Sequence, residues 1–476
     1  MRWTRAQLLK AAGAAAGGTL LARPELAEAQ SSRRVWEFVS RPDLRPPRLN
    51  VLHAGPTAEG HLFMAPSSGA GQRGVMIVDD AGEIVWFHPT TPQTAMNFRA
   101  ARYKGEPVLT WWEGKATKGL GTGTHVILDG SYRVVARVPA GDGRQSDLHE
   151  FLITPHDTAL VTSYEVRTVD LSAVGGPRQG QAIGGLVQEL ALPSGRVLFE
   201  WRSLDHVSIA ETHAVYTGHP LDYFHVNSID LSSDGDFLVS ARNTWAVYKV
   251  SRKTGKVLWR LGGKRSDFEM GPGTVFAWQH DARHLGHGRI SIFDDGAEPQ
   301  VAPQSRALVL QLDGAHRRAR LVRKYTHRPG RIVSRFMGNA QVFDNGNVLV
   351  GWGSEPYVTE FGRDGDIRFD ARLPSGGQNY RALRFPWAAM PAVPPAITYR
   401  AAGGKRRVHV SWNGATNVAS WELHAGQSAG ALAVVGNVRR TGFETAIAVP
   451  HGARYARVFA LDAAGKRLRA SKTIRV

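Results

Sequence analysis

The 476-residue chain contains no cysteine. Disulfide bonds, cysteine-ligated zinc, thiol catalysis and a lipid-modified N-terminal cysteine are excluded by that absence alone. Long apolar runs are missing too: beyond residue 30 the apolar stretches are short and end at Gly, Asp or Asn. None reaches the about 20 residues that span a bilayer, and none carries helical or heptad periodicity. Acidic residues are fewer than basic ones, 41 against 59, which leaves a formal charge of +18. The excess is uneven, since residues 400–476 hold 13 Lys and Arg against 3 Asp and Glu. No clustered stripe of aromatic residues accompanies it, so it reads as a solvated basic face and not as a nucleic-acid surface.

The first 29 residues read as an export signal. Arg2, Arg5 and Lys10 form a basic start, residues 11–22 a short apolar stretch, and Ala27-Glu28-Ala29 a small-x-small cleavage site. Thr4-Arg5-Ala6-Gln7-Leu8-Leu9-Lys10 resembles a twin-arginine signal with Ala6 in place of the second arginine, so both that route and the general secretory route stay open. The expected location is outside the cytoplasm: periplasmic, extracellular or at the cell surface.

What the chain has in quantity is glycine, 52 residues, between short strand-like runs. A strand, a turn with Asp or Gly, and a second strand recur six times, with turn glycines at Gly82, Gly130, Gly195, Gly255, Gly314 and Gly365. The gaps are 48, 65, 60, 59 and 51 residues. Each hairpin alternates with a polar residue, about ten residues, and an apolar strand. In three copies that residue is histidine: His149 ahead of Ala159-Leu160-Val161, His225 ahead of Phe237-Leu238-Val239, and His280 ahead of Ile290-Ser291-Ile292. In two more it is asparagine: Asn97 ahead of Val108-Leu109-Thr110, and Asn339 ahead of Val348-Leu349-Val350. Four strands per unit in six units predict an all-β chain with a six-bladed β-propeller over residues 36–390, its repeated positions converging on a central channel. The segment 36–52 is expected to close the first blade. Past the prolines at 391, 394 and 395, short alternating strands with Trp412, Trp421 and Tyr455 predict a fibronectin type III-like β-sandwich over residues 396–476.

Within the propeller, the stretches Asp222-Tyr223-Phe224-His225-Val226-Asn227-Ser228, Ser240-Ala241-Arg242, Trp278-Gln279-His280 and Ile292-Phe293-Asp294-Asp295-Gly296 resemble those of the bacterial arylsulfate sulfotransferases. These exported enzymes move a sulfuryl group between phenols without an adenylated donor. The resemblance covers roughly residues 36–385, with its specific motifs between 147 and 295. It implies that His280 takes the sulfuryl group covalently, that His225 and Arg242 hold the sulfate oxygens, and that His149 is a third channel histidine. Asn227 lies in the same motif; Asn97 and Asn339 join it as substrate-binding candidates through their repeat positions. Asn243 stands where other members carry histidine, and the N-terminal sandwich and disulfide of some relatives are missing. The implied substrates are aryl sulfates and phenols, with no cofactor and no metal.

The chemistry is consistent with those residue types. Sulfuryl transfer, like phosphoryl transfer, develops charge on equatorial oxygens, so positioning and electrostatic stabilisation dominate. A neutral imidazole is a competent nucleophile, a guanidinium fork matches two tetrahedral-anion oxygens, and an imidazolium can protonate a departing phenolate. Two other classes fit the same residues: a metal site in which His149, His225 and His280 ligate Zn²⁺, and a propeller that binds anionic ligands without catalysis. Met64, Trp111, Trp112, Trp245 and Trp352 are candidates for an aromatic pocket wall, with blade packing as the alternative. His284, His287, His316 and His327 are expected at the surface, and Asp294-Asp295 in a turn.

Overall fold

A computed structural model describes residues 34–476; residues 1–29, expected to be an export signal, lie outside them. The described chain is all-β, with antiparallel pairing in every sheet and two short parallel additions. No described helix is long and apolar enough to cross a membrane.

Between residues 50 and 385 the strands form six sheets of four or five strands. Five of them begin with Thr94–Tyr103, Phe151–Ile153, Val226–Leu231, His280–Gly286 and Asn339–Val342, each followed outward by strands in sequence order. The remaining sheet is composite. Its first strand, Leu383–Phe385, comes from the far end of this region and pairs with His61–Met64. The expectation that residues 36–52 close this sheet is therefore corrected: Asn50–Ala54 adds to the outer edge of the last sheet, pairing with Ile367–Arg372. Neighbouring sheets pack on one another near their first strands: Thr94–Tyr103 on Phe151–Ile153, Thr158–Val169 on Val226–Leu231, Val226–Leu231 on His280–Gly286, His280–Gly286 on Asn339–Val342, and Leu383–Phe385 on both Val348–Gly351 and Thr94–Tyr103.

Burial follows this arrangement. The second strands Phe237–Ala241 and Val348–Gly351 are buried along their whole length because a neighbouring sheet covers each face, whereas the outer strand Val134–Val138 is largely exposed. Apolar clusters fill the spaces between sheets, such as Leu160, Tyr223, Phe224, Val239 and Tyr248 between the third and fourth. Each fully buried large side chain there contributes about 1.5–3 kcal/mol.

The six outer hairpins sit where the turn glycines predict. Gly82, Gly195, Gly255 and Gly365 adopt positive φ, but Gly130 and Gly314 do not. In those two turns the left-handed residue is Tyr132 or Arg317.

Residues 396–476 form two further sheets, one of three strands and one of five. They rest against the first sheet. Asn413 accepts from the Phe87 amide at 2.9 Å and donates to the Phe87 carbonyl at 2.8 Å, and Tyr132 Oη donates to the Gly414 carbonyl at 2.8 Å. Phe38 packs on Phe443 with ring centroids 4.2 Å apart.

Candidate active site

The histidines of three successive sheets meet at the starts of their first strands. His149 precedes Phe151–Ile153 by two residues, His225 directly precedes Val226–Leu231, and His280 opens His280–Gly286. Bulges interrupt pairing just beyond His225 and His280, and His225, Trp278 and Asp281 have positive φ. Such irregularities re-aim side chains that a regular strand would hold against its neighbour.

All three histidines and Arg242 line one cavity of about 490 Å³. The His149 and His225 rings stand edge to face with centroids 4.9 Å apart. Each histidine has its own carboxylate: Nδ1 of His149 lies 2.5 Å from Asp147, Nδ1 of His225 2.5 Å from Asp222, and Nδ1 of His280 2.8 Å from Asp295. A carboxylate on Nδ1 leaves Nε2 free for chemistry and fixes the tautomer. Burial holds His280 well below the usual imidazole range, reinforced by the charges of Arg242, His149, His225 and Arg381. Burial also lowers His149, against the opposing pull of Asp147. Asp295 is pushed well up by burial, with the Arg242 guanidinium working in the opposite direction. Burial therefore disfavours charge on both members of the pair.

Arg242 arrives by hairpin geometry. Its backbone N–H donates to the His225 carbonyl at 3.0 Å across the paired strands. The guanidinium donates to Asn243 Oδ1 at 3.1 Å and to the Arg335 carbonyl at 3.3 Å, and lies 4.7 Å from the centre of a Trp278 ring. Both acceptors are neutral, so its charge remains available to an anion. Asn243, in the position of a family histidine, braces the arrangement by donating to the Asp222 carbonyl at 2.6 Å.

The three asparagines stand apart from the cavity wall. Asn339 exchanges two hydrogen bonds with Ala382, Asn227 donates to the Gln279 carbonyl at 2.6 Å, and Asn97 accepts from Arg381 at 2.8 Å. Their amides join neighbouring sheets, and Asn97, Asn227 and Asn339, expected at the substrate, are not among the residues that line this cavity. Arg381 is the residue that sequence reasoning missed here. It precedes the composite sheet's first strand by two residues, as His149 does in its own sheet. It bonds Glu150 at 3.0 Å and Asp281 at 3.1 Å, while Glu150 also pairs with Arg99 and Arg283. Burial would raise the Glu150 carboxyl, yet Arg283, Arg381 and Arg99 hold it down at about 2.

Among the described residues, no group of three or more His, Asp or Glu is arranged to hold a metal ion. The neighbouring guanidinium would also oppose a cation.

The family model for arylsulfotransferase (ASST) matches residues 99–373, more than half of the chain. The chain belongs to this arylsulfotransferase family. No curated protein matches it. Among solved structures, it is similar to a Bacteroides caccae protein of unknown function, at 15% identity and a TM-score of 0.44, covering 68% of this chain and 98% of the other. It is also similar to virginiamycin B lyase from Staphylococcus aureus, at 8% identity and a TM-score of 0.35, covering 77% and 96%.

In this arylsulfotransferase the apolar cavity wall differs from the expected aromatic one. Met96, Leu148, Phe336 and Met337 line it. Met64, Trp111 and Trp352 are buried in packing between sheets, Trp112 is buried behind the wall in a cluster with Met96, Leu148 and Met337, and Trp245 stacks on His213. His327 is buried beside Tyr357 and Trp352, contrary to its expected surface position, because its ring fills an aromatic niche. Asp294 and Asp295 have separate partners: Asp294 pairs with Arg306 at 2.7 Å and Asp295 orients His280.

Proposed function

We propose that this arylsulfotransferase moves a sulfuryl group from an aryl sulfate to a phenol by a ping-pong route through His280. The observation that carries this reading is the buried Asp295–His280 pair facing the same cavity as Arg242, His225 and His149. The scaffold is read as a six-bladed propeller over residues 36–390 with a fibronectin type III-like domain over 396–476. The six sheets, packed on one another near their first strands, support the first part, and the two C-terminal sheets support the second. The basic and apolar N-terminal residues support an exported enzyme.

In the first half-reaction His280 Nε2 attacks sulfur, an N–S bond forms and the S–O bond to the aryl group breaks. The proton on Nδ1 stays with the ring, and the Asp295 carboxylate balances the positive charge that develops there. Arg242 offers its fork to the sulfuryl oxygens. His225, oriented by Asp222, supplies a proton to the departing phenolate oxygen and takes one from the incoming phenol in the return step. His149 lies beside His225 and completes the charge surrounding the group in transfer.

Incubation with an aryl sulfate and no acceptor should leave a sulfuryl group on the peptide containing His280, detectable by mass analysis. Release of phenol with no mass added to that peptide would reject the covalent route. Arg242→Lys keeps the charge but loses the planar fork, and turnover should fall on the order of 10² to 10³-fold. An unchanged turnover with weaker donor binding would assign Arg242 to ground-state binding only.

The pH profile tests the same arrangement. His280 is lowered by burial first and by Arg242 second. The neutral nucleophile therefore persists below the ordinary imidazole range and is lost only as the pH falls through its lowered value. Arg242→Gln removes the largest of the charges that act with burial, so the acidic limb of the pH–rate profile should move upward. A limb that stays in place, with His280 still sulfated, would show that Arg242 does not tune the nucleophile.

A further inference from the structure

A second cavity of about 380 Å³ adjoins the first, and Arg242, Asp222 and Asn243 line both. We propose that this cavity is an acceptor subsite for a second, hydroxylated aromatic ring, so that the enzyme favours two-ring phenols over simple phenol. The inference rests on the sulfuryl-transfer reading for the adjoining cavity.

The lining supports a flat aromatic ligand. His213 is stacked on Trp245 with centroids 3.6 Å apart and planes within 1°, and Trp245 meets Trp278 edge-on at 5.1 Å. Val215, Pro220 and Pro299 add apolar surface, and Val215 is 79% exposed. Aromatic rings gain from offset or edge contacts with such a wall beyond the area they cover.

The polar groups favour a hydroxyl on that ring. His213 Nε2 and Asp222 Oδ1 are buried without a hydrogen-bond partner in the described structure. Buried polar atoms without partners are uncommon and costly, and a ligand hydroxyl can both donate and accept. His213 is pushed down to about 4 by burial and then by Lys264, so its ring is neutral at neutral pH. A neutral imidazole suits a phenolic hydroxyl better than a carboxylate or sulfate. Because Arg242, Asp222 and Asn243 line both cavities, a molecule with one ring beside His280 has this cavity next to it for its second ring.

The test uses the full chain, para-nitrophenyl sulfate as donor, and phenol or a dihydroxybiphenyl as acceptor. Wild type should show the lower KM for the dihydroxybiphenyl. Val215→Trp fills the cavity from an exposed position and should raise the KM for the dihydroxybiphenyl by roughly tenfold or more, leaving that for phenol unchanged. His213→Phe keeps a flat ring on Trp245 but removes its nitrogens, and should shift KM in the same direction. Equal effects on both acceptors, or none on either, would overturn the subsite. If no phenol were sulfated at all, the transfer reading would fail separately. Tryptophan-fluorescence titration with the dihydroxybiphenyl would then decide the subsite, and equal affinity for wild type and Val215→Trp would reject it.

Discussion

His280→Ala should abolish both half-reactions, with turnover falling on the order of 10⁴-fold or more. The size of the effect follows from the site. No cysteine is available as a substitute nucleophile, and the other two cavity histidines are tied to their own carboxylates in different sheets. Neither can reach sulfur along the same line without moving its strand. Donor cleavage, read as phenolate release, and transfer to a phenol, read with isotopically labelled sulfate, should disappear together. His280 is 2% exposed, so a thermal melt must accompany the assay; an unchanged melt with lost turnover locates the defect in chemistry. A folded His280→Ala enzyme with wild-type turnover would reject His280 as nucleophile.

The second large effect is expected at a residue that never touches substrate. Asp295→Asn should lower turnover by about 10³ to 10⁴-fold, in line with the carboxylate-to-amide change in serine-protease triads. In the proposed reaction Asp295 acts in its ionised form, which Arg242 favours against burial; that form accepts the Nδ1 proton of His280 and leaves Nε2 with its lone pair. An asparagine amide at the same place can donate to Nδ1, which stabilises the tautomer with the proton on Nε2 and blocks attack. It also withdraws the counter-charge that the sulfated ring needs. Because Asp295 acts through His280, its positioning role should leave donor KM nearly unchanged while kcat falls. A variant within tenfold of wild type would mean that the tautomer is set by other groups.

Much of this site was legible in the chain because its parts recur locally. His149, His225 and His280 each stand at the start of a sheet's first strand, followed by an apolar strand after a similar interval. Arg242 was within reach of the same reasoning, since it faces His225 across the next hairpin. Asp147 and Asp222 also lay close at hand, two and three residues ahead of their histidines. Asp295 was harder, being 15 residues from His280 and brought back only by the strand pairing between them. The asparagines show the limit of repeat equivalence. Asn97, Asn227 and Asn339 were placed near the channel, but facing is decided by bulges and by neighbouring backbone groups.

Composition and periodicity by themselves determined the all-β class, the recurring hairpins, the three histidines and the exclusion of thiol chemistry, because each depends on residue type or on short spacings. Tertiary structure alone decided three things. It brought Leu383–Phe385 to the sheet that contains His61–Met64, and with that strand Arg381 into the buried network beneath the histidines. It set the cavity wall from Met96, Leu148, Phe336 and Met337, whose positions span three separate parts of the chain. It also coupled Arg242 to His280 electrostatically. Those outcomes depend on which sheets become neighbours, and on the desolvation that their packing imposes. Neither is set by any local run of residues.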